Sequence, residues 1–226
     1  MTKSEILSMC DHTVLRTDAS FGEIAENLEL AIKFNCASMC LAPTHVYEAK
    51  KLVGEKLKIC TVVGFPNGYN DTATKVFEAR HLIEEGADEI DVVINLGWAT
   101  SGMFAAVEDE LKQLRAATEG YILKVIVETS KLSESVFPEI CKIVSRSGAD
   151  YIKTSTGFAE RGATVQDVEI MRRECAPETK IKAAGGISSF EDAEAMIKAG
   201  ATRLGTSRLV KLMLSDNKDS KNSLTY

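Results

Sequence analysis

The sequence is short of several kinds of residue and pattern, and each shortage closes a route. It has three histidines, His12, His45 and His81, far apart along the chain, so no histidine set suggests a metal-dependent enolate chemistry. Neither a Gly-x-Ser-x-Gly elbow nor a phosphate-loop motif occurs. The six cysteines, Cys10, Cys36, Cys40, Cys60, Cys141 and Cys175, lie in apolar segments without CxxC spacing and read as reduced core thiols. No apolar run approaches about 18 residues, and no charged-then-apolar signal segment opens the chain. A net charge of −6 argues against nucleic acid or an anionic membrane surface as partner. Phosphate stays open as a ligand, because amides and helix ends bind it without net positive charge. The expectation is a cytoplasmic protein that handles a small molecule.

What is present is ordinary in bulk and regular in order. The 226 residues are 45% hydrophobic and 27% charged, enough for one large globular core. Strand-like runs recur at Cys10–Val14, Ala37–Leu41, Lys58–Gly64, Glu89–Asn95, Tyr121–Glu128, Ala149–Thr154, Lys180–Ala184 and Thr202–Thr206. Helical patterns fall between and after them, at about Gly22–Phe34, His45–Val53, Asp71–Glu85, Met103–Thr118, Ser133–Ser147, Thr164–Cys175, Phe190–Ala199 and Ser207–Leu214. Ser20 with Glu23, and Ser188 with Glu191, have capping-box spacing. Gly86-Ala87-Asp88, Gly148-Ala149-Asp150 and Gly200-Ala201-Thr202 each end a helix and launch a strand. Eight alternating units without a linker predict an α/β fold, a single (β/α)₈ TIM barrel over residues 1–214. An open doubly wound sheet is the alternative architecture. Residues 215–226 are polar and carry no core pattern, which predicts a short flexible C-terminal tail.

The chemistry announces itself as charge inside apolar strands. Lys153 lies in Tyr151-Ile152-Lys153-Thr154, and Lys182 in Lys180-Ile181-Lys182-Ala183-Ala184. Two such amines on successive buried strands repel, and repulsion with desolvation lowers the pKa of one of them. A neutral amine attacks carbonyls, so a Schiff-base enzyme is the leading reading. Lys124 in strand five and Asp91 in strand four interrupt apolar runs in the same way. One intrusion could be a structural ion pair, whereas four on adjacent strands are hard to account for by packing. In such barrels the working residues sit at the C-terminal strand ends, which puts Asp11, Cys40, Asn67, Asp91, Lys124, Lys153, Lys182 and Ser207 on the expected rim. Cys40, though near the mouth, reads first as a packed thiol, and His12 reads as hydrogen-bonded structure. Thr156-Gly157, Gly185-Gly186 and Gly205-Thr206-Ser207 follow strands six to eight and read as anion cradles.

Five segments then become recognisable together: Cys10-Asp11-His12-Thr13, Thr61-Val62-Val63-Gly64-Phe65-Pro66-Asn67-Gly68, Glu89-Ile90-Asp91-Val92-Val93, Tyr151-Ile152-Lys153-Thr154-Ser155-Thr156-Gly157-Phe158 and Ile181-Lys182-Ala183-Ala184-Gly185-Gly186. In this order they resemble deoxyribose-phosphate aldolase, over about Cys10 to Leu214. The resemblance implies a class I aldolase that cleaves 2-deoxy-D-ribose 5-phosphate to acetaldehyde and D-glyceraldehyde 3-phosphate, without cofactor or metal. It implies Lys153 as the Schiff-base lysine, Lys182 as its pKa-lowering neighbour and Asp91 as proton donor and acceptor. Lys124 would hold Asp91 or substrate hydroxyls, and the terminal Tyr226 would reach the site. Ser188 departs from the pattern, standing where many members carry arginine. A related aldolase on another phosphosugar, or a phosphosugar-binding barrel without catalysis, are the alternatives. The partners expected are the phosphosugar and copies of the chain itself, as a homodimer or higher homo-oligomer.

Overall fold

In the computed structural model, which describes residues 1–222 and their side chains through 215, eight strands alternate with helices. The order is α1 (Lys3–Leu7), β1 (Cys10–Val14), α2 (Phe21–Lys33), β2 (Ser38–Leu41), α3 (Val46–Val53), β3 (Ile59–Val63), α4 (Thr72–Glu84), β4 (Glu89–Val93), α5 (Leu96–Thr100) and α6 (Phe104–Ala117). It continues with β5 (Ile122–Ile126), α7 (Phe137–Arg146), β6 (Tyr151–Lys153), α8 (Val165–Glu174), β7 (Lys180–Ala184), α9 (Phe190–Ala199), β8 (Arg203–Thr206) and α10 (Leu209–Asn222). All strands are parallel, and β8 pairs with β1, so the sheet closes into the expected barrel. No helix among the described residues is long and apolar enough to cross a membrane.

The strands look uniformly apolar because both faces are buried, yet a period of two still sorts them. Ile90, Val92, Leu123, Val125, Ile152, Ile181, Ala183 and Leu204 join the core between barrel and helices. Their neighbours in sequence, Glu89, Asp91, Lys124, Lys153, Lys182 and Arg203, turn to the barrel interior, where they ion-pair with one another. A separate apolar cluster inside the barrel holds Cys40, Cys60 and Val62, with Leu15 and Phe65 against it.

Several boundaries differ from expectation for local reasons. Ser189, not Ser188, caps α9, and its reciprocal partner is Asp192 rather than Glu191. Ser20 caps α2, but Glu23 leaves the box half made because its carboxylate pairs with Arg16 at 2.5 Å. α7 begins at Phe137 rather than Ser133, with Pro138 in its first turn where a missing N–H is harmless. The expected tail after Leu214 begins as helix: α10 runs on to Asn222. Residues 215–222 contain neither glycine nor proline, and extending a nucleated helix needs no core pattern.

Candidate active site

The barrel fold brings three carboxylates and four cations together along its axis. Lys153 is the last residue of β6, at the mouth, and Lys182 is its register partner on β7. Asp91 and Lys124 are register partners on β4 and β5. Glu89 and Arg203 open their strands and so lie deeper, towards the N-terminal end.

Asp91 is the hub. Its Oδ2 accepts from Lys153 Nζ at 2.8 Å and from Lys182 Nζ at 2.7 Å. Its Oδ1 accepts from Lys124 Nζ at 2.7 Å and from the Cys60 thiol at 3.2 Å. Lys124 also meets Glu89 Oε2 at 2.6 Å, and Lys182 is in direct contact with Asp11 Oδ2. Arg203 closes the lower end, 2.6 Å from Asp11 Oδ1 and 3.2 Å from Glu89 Oε2. All of these groups are buried, except Arg203, which is half-buried.

Burial by itself would neutralise such groups, but the opposite charges outweigh it. The lysines around Asp91 hold its carboxyl well below the usual range despite complete burial. Lys182 and Arg203 do the same for Asp11. In return, Asp11 and Asp91 hold Lys182 above the usual lysine range against desolvation, and Asp91 leads in raising Lys124. Lys153 and Lys182 share one oxygen of Asp91, so a carboxylate stands with the two expected neighbouring amines.

Above this cluster a cavity of about 600 Å³ opens at the C-terminal strand ends. Lys153, Thr156, Gly157, Gly185, Gly186, Gly205 and Ser207 all line it, so the expected cradles converge on one space. Gly185 and Gly186 have φ of +77° and +76°, a left-handed turn that suits glycine. Gly162 presses against the first of them: a Cβ on Gly162 would lie 2.2 Å from the Gly185 carbonyl carbon. Thr156 is held by Glu128, whose Oε2 accepts from the Thr156 amide at 3.1 Å and hydroxyl at 2.5 Å.

Two expected rim residues are elsewhere. Asp11 is the second residue of β1, not its end, and lies within the barrel against Lys182, Arg203 and Ser38, whose hydroxyl donates to it at 2.8 Å. Cys40 is fully buried in the apolar cluster and is a packed thiol. Neither lines the cavity. Asp91, Lys124 and Lys182, also expected on the rim, do not line the cavity either; Asp91 meets the cavity-lining Lys153, and Lys124 and Lys182 bond Asp91. His12 is structural, its Nε2 bonded to Asn27 Oδ1 at 2.8 Å. Tyr226 lies outside the described residues.

The sequence reading missed Arg203 and Glu89, although Glu89 sits two residues before Asp91 and therefore on the same strand face. It also missed Arg16, Arg208 and Lys211 in the cavity wall. Arg208 and Lys211 follow the last strand, and that position was their available signal. Among the described residues, Cys40, Cys60 and Asp91 bring metal-type donor atoms within 4.8 Å of one another, as do Asp11, Cys60 and Glu89. Lysine ammonium groups already bond these carboxylates, so the donor sets do not fit a metal ion.

Residues 6–210 match the family described as DeoC/LacD family aldolase. The chain belongs to this aldolase family. It is 51% identical over 216 residues to the deoxyribose-phosphate aldolase of Streptococcus pyogenes, covering 96% of this chain and 97% of that one. Among solved structures, the aldolase QR15 superposes with a TM-score of 0.89 at 37% identity, over 94% of this chain and 97% of the other. The tetrameric deoxyribose phosphate aldolase of Aeropyrum pernix gives 0.88 at 30% identity, over 96% and 92%. The charged cluster under the cavity is therefore the interior of a family aldolase.

Proposed function

We propose that this aldolase reversibly cleaves 2-deoxy-D-ribose 5-phosphate to acetaldehyde and D-glyceraldehyde 3-phosphate through a Schiff base on Lys153. The observation that carries the assignment is positional. Of the three lysines in the cluster, only Lys153 also lines the cavity, with Nζ 2.8 Å from Asp91 Oδ2. Charge count supports its being the one spared for chemistry: apart from Lys153, three carboxylates face three cations, Lys124, Lys182 and Arg203.

Lys153 adds to the sugar carbonyl, and loss of water gives an iminium that restores a positive charge opposite Asp91. The iminium draws electrons from the breaking carbon–carbon bond while Asp91, through a water, takes the proton of the adjacent hydroxyl. D-Glyceraldehyde 3-phosphate departs, leaving an enamine. Protonation at carbon and hydrolysis then release acetaldehyde. Lys182 remains an ammonium and disfavours a second charge on Lys153, and Lys124 anchors Asp91. Glycine amides at Gly157, Gly185 and Gly186, with Gly205 and Ser207, receive the phosphate, and Arg208 and Lys211 supply charge that Ser188 lacks.

Borohydride reduction with acetaldehyde tests the reading. A stable two-carbon adduct on the peptide containing Lys153 is expected, whereas an adduct on Lys182 or Lys124, or none, would overturn it. A homo-oligomer is the assembly we favour, supported by the tetrameric A. pernix relative and read by light scattering. The free cysteines support a cytoplasmic setting.

A further inference from the structure

We propose that Cys60 is a positioning residue for this aldol cleavage: its thiol donates to Oδ1 of Asp91 and fixes the rotation of that carboxylate. The inference rests on the reading of Asp91 as the proton-transfer group. It begins from the division of labour between the two Asp91 oxygens. Oδ2 faces Lys153, where the chemistry occurs, and Oδ1 faces inward to Lys124 and Cys60. A carboxylate is symmetric and rotates unless its two oxygens are held differently. Lys124 alone gives one contact to Oδ1; Cys60 adds a second from β3, on the other side of β4 from Lys124.

The thiol suits this place as a charged group would not. Cys60 Sγ accepts from Lys124 Nζ at 3.2 Å and donates to Asp91 at 3.2 Å, so the three form a short relay. Carboxylate oxygens of Asp11 and Glu89 lie within 4.8 Å of the sulfur, and Cys40 is its register partner on β2. Arg203 stands behind those two carboxylates, and Lys182 and Lys153 meet Asp91 from β7 and β6. Burial, then the contact with the Cys40 thiol and the negative charge of Asp91, hold the Cys60 thiol well above the ordinary thiol range, leaving it an S–H donor. On its other side the sulfur packs with Val62 and meets the Cys40 thiol, surroundings that suit a soft, weakly polar group.

The test compares Cys60→Ala, which removes the donor, with Cys60→Ser, which keeps one. Cys60→Ala should lower kcat about tenfold while KM stays within about twofold, since a hydrogen bond to a reacting charge is lost. Exchange of acetaldehyde methyl protons with deuterated water should slow in step, and borohydride trapping at Lys153 should persist. Cys60→Ser should recover most of the loss. In infrared difference spectra, Asp91→Asn should move the Cys60 S–H stretch to higher frequency, because an amide oxygen is the weaker acceptor. Parent-like turnover in Cys60→Ala, equal impairment in both variants, or an unmoved S–H band would each overturn the proposal. Loss of trapping at Lys153 in the parent protein would instead overturn the functional reading on which it stands.

Discussion

Lys153 and Lys182 are register partners on adjacent strands, and both side-chain nitrogens donate to the same oxygen of Asp91, at 2.8 and 2.7 Å. The two differ in what else they touch. Lys153 borders the cavity, whereas Lys182 is sealed between Asp91 and Asp11. Removing Lys182 leaves two buried carboxylates short of a cation, and breaking such a pair costs about 3–5 kcal/mol. Lys182→Met should therefore unfold at much lower urea than the parent. Lys153→Met should lose turnover as completely but keep most of the stability, because Asp91 retains Lys182 and Lys124 as partners and the changed side chain borders the cavity.

Stability should fall at both ends of the pH range. Asp11 and Asp91 titrate lower in the folded protein than in the unfolded chain, where aspartate sits near about 3.9. Their contribution is complete above that value and is lost as pH drops towards the folded pKa. Lys124 and Lys182 are raised, so their contribution is complete below about 10.4 and is lost above it. Thiols bring the alkaline loss forward. Burial, aided by Asp11, pushes Cys36 up to about 12, so it destabilises the fold from about 8.5 upward. Burial also lowers His12, so stability already begins to fall below about pH 6.5. Urea midpoints should be flat only from about pH 7 to 8 and decline on either side; a midpoint still rising at pH 10 would contradict this.

Two glycines should separate chemistry from binding. A Cβ on Gly205 would lie 2.9 Å from Ala184 Cβ and 3.2 Å from Lys182 Cε, so Gly205→Ala displaces the lysine under the floor. It should lower kcat more than it raises KM. Gly162→Ala drives into the backbone of Gly185 and deforms the cradle, so it should raise KM for 2-deoxyribose 5-phosphate by about tenfold or more. Steady-state kinetics on the two variants reads both effects.

Arg208 and Lys211 line the cavity at the start of α10, on the side away from the buried cluster. Neutralising them as Arg208→Gln with Lys211→Gln should weaken the phosphorylated sugar and leave unphosphorylated 2-deoxyribose nearly unaffected. The parent's KM for the phosphorylated sugar should rise with ionic strength, and the variant's should rise less. Equal effects on both sugars would put the phosphate elsewhere.

The repeat order and the lysines were readable because charge in an apolar strand is visible without a structure. Depth was not. Whether Asp11 reaches the rim depends on where β1 begins and how its neighbours are staggered, and it stops one residue from the strand's start. Lys75 was equally hidden. On an amphipathic helix it reads as a surface lysine, yet it is buried against Glu110 of α6 at 2.8 Å. The cavity cations Arg16, Arg208 and Lys211 escaped because arginine and lysine in loops or in the first turn of a helix look like ordinary solvated surface. Cys60 escaped because a thiol in an apolar strand reads as packing.

The closed barrel also has a polarity along the chain. Every carboxylate of the interior cluster comes from the first four strands, Asp11, Glu89 and Asp91, and every cation from the last four, Lys124, Lys153, Lys182 and Arg203. Each half of the barrel is thus the counterion of the other. Two N-terminal halves meeting face to face would crowd acids together with no cation among them, and two C-terminal halves would do the reverse. The interior is neutralised only where the two halves of one chain have closed on each other.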